Sequence, residues 1–70
     1  MMSATLFTKP GDVYAVRAKA LLSAKGVAVY TKPLPSGERE SYVVIGSWRG
    51  TYEELGSLDL HGKLDKLLTG

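Results

Sequence analysis

Phe7-Thr8-Lys9-Pro10-Gly11-Asp12-Val13-Tyr14-Ala15-Val16-Arg17-Ala18-Lys19-Ala20-Leu21-Leu22-Ser23-Ala24-Lys25-Gly26 decides how the rest of this chain is read. It begins inside a short apolar run, residues 4–8, whose β-formers predict strand 1 with Leu6 and Phe7 on opposite faces. Pro10-Gly11 is turn chemistry. Asp12 stands where a helix N-cap is wanted, because its carboxylate can accept a hydrogen bond from an unpaired first-turn amide. Residues 13–25 are the predicted helix. Tyr14, Ala18, Leu21, Leu22 and Lys25 recur at helical spacing, Val13, Val16 and Ala20 widen the apolar side, and Arg17 and Lys19 punctuate the other. Gly26 supplies the left-handed residue on which helices commonly stop.

Outward from that segment, residues 27–31 predict strand 2. Thr-Lys-Pro recurs at 31–33 after 8–10, a repeat too short to argue duplication. Pro33-Leu34-Pro35-Ser36-Gly37 is a loop by composition, and Glu38-Arg39-Glu40 extends it as a charged, solvated stretch. Residues 41–45, with Tyr42, Val43, Val44 and Ile45, predict strand 3. Gly46-Ser47 makes a hairpin turn into a very short strand 4 at Trp48-Arg49. Residues 51–68 are helical in two pieces. Thr51 caps, Glu53 and Glu54 sit in the first turn where the helix dipole favours them, and Gly62 interrupts. Tyr52, Leu55 and Leu58, then Leu64, Leu67 and Leu68, form the inward stripe. No linker divides residues 1–70, so a single domain is expected.

A chain of 70 residues buries only about 60% of the surface that its unfolded form exposes, so marginal stability is expected. Small domains offset this with disulfides, metals or self-association. Cysteine is absent and His61 is the one histidine, which excludes disulfides and thiolate metal sites and leaves self-association. Nine basic against seven acidic residues give a charge of +2, too balanced for a dedicated nucleic-acid binder. No apolar run approaches the roughly 18 residues of a membrane span, and Met-Met-Ser-Ala-Thr lacks the regions of a signal peptide. A soluble cytoplasmic protein is the expectation.

The opening segment resembles the active-site segment of the glutaredoxins with its sulfurs removed. Family members typically read aromatic-Thr-Lys-Pro-x-Cys-Pro-Tyr-Cys-x-x-Ala-Lys-x-Leu-Leu. This chain keeps Phe7, Thr8, Lys9, Pro10, Tyr14, Ala18, Lys19, Leu21, Leu22, Lys25 and Gly26, but has Asp12 and Ala15 at the cysteine positions and Val13 at the proline between them. The tail is similar too. Gly50, Thr51, Tyr52, Glu53, Glu54 and Leu55, then Leu58, Asp59, Gly62, Leu64, Leu67 and Leu68, follow the family's C-terminal motif. Together the two motifs cover more than half of the chain. The resemblance implies an α/β fold with a mixed sheet, a reduced thioredoxin/glutaredoxin-like βαβ-ββα unit. The family's second helix would have to fit into residues 33–40, whose two prolines and glycine do not make a helix. The family's cis-proline should fall near 39–42, where there is no proline. Two sheet orders are open: the family's 2-1-3-4, which the surviving motifs favour, or a direct hairpin of strands 2 and 3.

Thiol–disulfide exchange requires a thiolate at each attacking step. Asp12 can occupy the anion-favouring site at a helix N-terminus but cannot form a mixed disulfide, so catalysis of that exchange by this chain is excluded and no cofactor is expected. As a structural residue Asp12 is an N-cap. The resemblance places Lys9 and Tyr14 at positions that contact glutathione, and Thr51 and Glu53 near those that hold its γ-glutamyl end. The missing cis-proline segment and the charge of Asp12 both oppose that ligand; otherwise Lys9 is solvated and Tyr14 is core. His61 reads as a capping residue. Arg17, Lys19, Lys25 and Lys32 read as a solvated face rather than a nucleic-acid site. Trp48 and Arg49 are candidate partner contacts, since exposed Trp and Arg are over-represented in hot spots, although a single tryptophan in so small a protein is usually core.

The resemblance therefore implies a redox-inactive binding module, acting as regulator or inhibitor of a glutaredoxin client such as ribonucleotide reductase, or of an unrelated host target. The alternatives are a small-ligand binder keeping part of the glutathione groove, and a degenerate or engineered cysteine-free glutaredoxin. Both faces of strands 2 and 3 are apolar, with Val27 and Val29 against Ala28 and Tyr30, and Tyr42 and Val44 against Val43 and Ile45. Two helices bury one face only. A homodimer or obligate partner on the other is expected, with Tyr30 and Tyr42 in the contact, unless Leu34 folds back over it.

Overall fold

Asp12 starts the helix as expected. In the computed structural model, which describes residues 3–69 apart from the Thr69 side chain, its backbone is extended and its carboxylate accepts from the Tyr14 amide at 2.9 Å. Met1 and Met2, part of the stretch read for a leader, lie outside the described residues. Helix α1 (Val13–Ala24) then runs to Lys25. There the Leu22 carbonyl accepts the amides of Lys25 and Val27, and Gly26 takes the positive φ of 79° that lets the chain reverse.

Strand β1 (Ser3–Thr8) precedes α1 and β2 (Ala28–Pro33) follows it, the two pairing in parallel with Thr5 opposite Tyr30 and Phe7 opposite Lys32. β2 begins and ends later than expected and runs into Pro33. An edge strand tolerates a proline because its outer side needs no ladder donor. The next amide, that of Leu34, still donates to the Thr8 carbonyl at 3.1 Å. The chain then crosses the end of β1 and enters β3 (Tyr42–Ile45), antiparallel to β1, and turns at Gly46-Ser47 into β4 (Trp48–Gly50). The sheet order is β2-β1-β3-β4, so the connection hops over β1 and the direct 2–3 hairpin is not formed.

Two short helices close the chain, α2 (Tyr52–Leu60) and α3 (Lys63–Thr69). Thr51 and Glu54 form a full capping box: the Glu54 carboxylate accepts the Thr51 amide at 2.9 Å and the Thr51 hydroxyl accepts the Glu54 amide at 3.4 Å. Gly62, at a φ of 72°, separates α2 from α3. Lys25, the C-cap of α1, reaches Asp59 at 3.0 Å and Asp65 at 3.1 Å and ties the end of α1 to both later helices. Among the described residues no helix is long and apolar enough to cross a membrane.

All three helices contribute to one core on one sheet face. Ala15, Ala18 and Leu22 of α1, Leu55 of α2, and Leu64 and Leu68 of α3 meet Ala4, Leu6, Val43 and Ile45. The stripe that α1 turns inward is therefore narrower than its spacing suggested. Val13, Tyr14 and Val16, expected on the apolar side, are 58%, 58% and 68% exposed. The line through Ala15, Ala18 and Leu22 is the one buried, with Leu21 packed against its edge.

Gly56 lies within α2, and a β-carbon built there would meet no atom within 4 Å. Gly56→Ala is expected to raise stability by about 0.5–1 kcal/mol, because alanine loses less backbone entropy in a helix. A urea midpoint equal to or below wild type would show that the space is not open.

Candidate functional site

The carboxyl end of β1, the Pro10-Gly11 turn and the first turn of α1 form one wall of a groove of about 610 Å³. Lys9, Pro10, Gly11, Asp12, Val13 and Tyr14 line this wall; Arg39, Glu40 and Ser41 form the second, and Thr51, Tyr52 and Glu53 the third. Lys9, Tyr14, Thr51 and Glu53, named from sequence, thus come together in one place. The rings of Tyr14 and Tyr52 lie 6.1 Å apart across the groove, tilted by 34°. Tyr14 is not the core residue that the structural reading of it expected. It stands on the first turn of α1, exposed and beside Tyr52, and forms part of the groove wall.

Asp12 is at the centre of this arrangement. The Ser41 hydroxyl donates to Asp12 Oδ2, and the same hydroxyl oxygen lies 2.9 Å from Thr8 Oγ1. The bond from Ser41 holds the Asp12 carboxyl below its ordinary value. Partial burial opposes it, while the amides of Tyr14 and Ala15 and the charge of Lys9 add to it. Asp12 is therefore both the helix cap and a fixed negative charge at the head of α1.

Ser41, Arg39, Glu40 and Tyr52 were not singled out from sequence. A signal for Ser41 existed. It falls in the 39–42 stretch where the family's cis-proline segment is expected, so any polar side chain there would face the head of α1. Ala15, at the second cysteine position, is 5% exposed and belongs to the core. Trp48 and Arg49 do not form a joint surface, because the pleat sends them to opposite faces. Trp48 packs against the core; Arg49 lies over the Tyr42 ring on the outer face, 4.0 Å from its centroid. The His61 ring lies 2.8 Å from the Ser57 carbonyl at the end of α2, a capping position. Among the described residues no group of acidic and histidine side chains is arranged to hold a metal ion.

A solved structure described as "Metal Binding of Glutaredoxins" superposes on this one with a TM-score of 0.73. The two sequences are 31% identical, and the match covers 97% of this chain and 89% of the other. The chain belongs to the glutaredoxin family. No family sequence model matches it, and no curated protein matches it in sequence. The fold is the thioredoxin/glutaredoxin-like one that the two motifs implied. Ser41 bonds to Asp12 in the stretch where the cis-proline segment would present its backbone, and the Thr51 amide and hydroxyl are already engaged in the capping box. Asp12 also sets a carboxylate beside any anionic ligand.

The lowered pKa has a consequence for stability. A carboxyl whose folded pKa lies below its unfolded value contributes stability above the unfolded value, near 3.8, and loses it as pH falls through the folded pKa. Asp12→Asn keeps a capping acceptor but loses this charge. Its urea midpoint should lie below wild type at neutral pH, and the gap should narrow as the pH falls below the ordinary carboxyl value of 3.8 and through the lowered folded one. Asp12→Ala, which removes the cap as well, should cost about 0.5–2 kcal/mol. A gap that widens with acid would contradict the assignment.

Proposed function

We propose that this glutaredoxin-fold protein is a redox-inactive binding module that holds a protein segment in the groove at the head of α1. The observation that carries the reading is Asp12. It stands where a family nucleophile would stand and is held there by Ser41 and the Tyr14 amide. A position so fully hydrogen-bonded is built to stay anionic and to stay still, which suits recognition. Exposed Val13 and Tyr14 offer apolar area beside it, while Lys9 and Arg39 against Glu40 and Glu53 offer charges of both signs. That mixture suits a polypeptide better than a small anion. In a cytoplasmic setting such a module would act as a regulator, occupying a site on a glutaredoxin client or on an unrelated host protein without turnover.

The test is affinity capture from the source cell with wild type, Tyr14→Ala and Asp12→Ala. A partner retained by wild type and lost with Tyr14→Ala supports the groove; equal capture by all three places the contact elsewhere. Glutathione titrated in the millimolar range, with amide shifts followed at Lys9, Tyr14 and Glu53, separates the small-ligand alternative. Saturable shifts there would favour it.

Wild type is expected to give no turnover in a glutathione-coupled disulfide assay. Asp12→Cys with Ala15→Cys should restore a thiol at the helix N-terminus yet little catalysis, because the groove still lacks the cis-proline segment and the second thiol would be buried. Ordinary glutaredoxin rates from the double variant would show that the 39–42 segment matters less than claimed.

A further inference from the structure

Residues 35–40 are exposed along their whole length, although Arg39 and Glu40 belong to the wall of the groove at the head of α1. The segment is fixed at both ends. Just before it the Leu34 amide donates to the Thr8 carbonyl, and just past it the Ser41 hydroxyl donates to Asp12. Between these points the chain turns sharply: the Glu38 amide donates to the Pro35 carbonyl at 3.1 Å, and Gly37 takes a φ of 92°. Among the described residues, one side-chain bond joins residues 35–40 to the rest of the chain. It runs from the Arg49 guanidinium to the Glu38 carboxylate, at 2.8 Å. Arg49 lies over the Tyr42 ring, which stacks on Phe7. One half of the pair is thus seated on the sheet, and the other rides on the loop.

A second hollow, of about 580 Å³, adjoins the groove. Tyr42, Arg49 and Glu54 are in its lining, and it shares Arg39, Glu40 and Thr51 with the groove. Arg39 and Glu40 therefore divide the two hollows from the loop side. Thr51, fixed by its capping box with Glu54, does so from the helix side. Among the described residues neither Arg39 nor Glu40 forms an ion pair or a side-chain hydrogen bond, so the loop side of the divide depends on the neighbouring Glu38–Arg49 pair.

We propose that residues 35–40 are a strap latched by Arg49 and Glu38, and that releasing the latch joins the two hollows into one channel from the head of α1 to β4. The purpose of the strap rests on the groove reading above: it sets how long a protein segment the site admits. The latch is built to open. Its two side chains are 56% and 38% exposed. An exposed pair of this kind biases an equilibrium by no more than about fivefold. No side chain of the strap is buried, so little else opposes opening. Leu34 and Ser41 are the fixed ends about which it swings, so the Ser41–Asp12 bond survives the motion.

Amide nitrogen relaxation on the free protein tests this without any partner. Order parameters at Gly37, Arg39 and Glu40 should drop in Glu38→Gln to about 0.6 or below, from wild-type values nearer the roughly 0.85 of rigid backbone. Those at Leu34 and Ser41 should not change. Arg49→Gln should act alike, and the double variant should be no more mobile than either single one, because a single bond is lost. Wild type in about 1 M salt, where charges are screened beyond roughly 3 Å, should reproduce the effect. A neutral nitroxide dissolved with the protein reads the joining of the hollows. The relaxation it causes at the Thr51 amide should rise about two- to fivefold when the latch is broken. Both substituted sites are exposed, and circular dichroism should show the variants folded. A strap that keeps its wild-type order in Glu38→Gln overturns the proposal. So does a loss of order that spreads to Leu34 and Ser41, or a mobile strap that leaves Thr51 no more accessible. Capture indifferent to Tyr14→Ala, with the strap behaving as expected, counts against the groove reading and not against the latch.

Discussion

Leu22→Ala is expected to leave most of the protein unfolded at room temperature. Leu22 is 0% exposed, on the innermost line of α1 with Ala15 and Ala18. It packs in the cluster that also holds Leu55, Leu64 and Ile45, so all three helices and the sheet meet through it. Truncating a buried leucine removes its transfer energy and leaves a cavity, a cost of about 2–5 kcal/mol. A single core in a domain of this size supplies no more than about 3–5 kcal/mol. The substitution therefore consumes most or all of the margin. Far-UV circular dichroism and a urea titration read the outcome. Val16→Ala, at an exposed position on the same helix, is the control and should change stability by no more than about 0.5 kcal/mol. A wild-type midpoint for Leu22→Ala would mean that α1 does not pack on this stripe.

Gly50→Ala is the second substitution with a large expected effect. Gly50 closes β4 opposite Val43 and is buried. A β-carbon there would stand 2.5 and 2.6 Å from two ring carbons of Trp48 and 3.2 Å from the Glu54 β-carbon. The glycine is what lets the indole lie across the strand. Its φ is not in the left-handed region, so the constraint is space rather than backbone conformation. The ring must swing off the core or the strand must shift, at about 1–3 kcal/mol. Trp48 is the sole tryptophan, so its emission reports the event directly. A lower urea midpoint with red-shifted emission is expected. An unchanged spectrum would show that the ring does not rest on Gly50.

Asp12, Gly26, Thr51 and Gly62 set where the helices start and stop. Each acts within a few residues of itself, by a side-chain oxygen on a nearby amide or by a positive φ. These boundaries were therefore legible, as were the four strands to within two residues at either end. The sheet order was half legible. Residues 33–40 are too few and too rich in proline for a helix, but either a crossover or a hairpin satisfies that composition. Parallel pairing of β1 with β2 and the bond from the Leu34 amide to Thr8 decide it.

The inward face of α1 was misread for a physical reason. Val13, Tyr14, Ala15, Val16, Ala18, Ala20, Leu21 and Leu22 wrap most of the helix in apolar groups, so several stripes fit a helical period equally well. Which stripe is buried depends on how close the sheet comes, and that is a property of the packed pair.

The sequence alone determined the local elements, the absence of cysteine and the family motifs at both ends. The tertiary structure alone decided the Ser41–Asp12 bond, the grouping of Lys9, Tyr14, Thr51 and Glu53 in one groove, and the stacking of Phe7, Tyr42 and Arg49. Ser41 and Asp12 are 29 residues apart, and the Phe7–Tyr42–Arg49 stack draws on three strands. Capping and turn chemistry are written in neighbouring residues. Contacts of that separation exist only after the crossover over β1 has fixed which strand lies beside which.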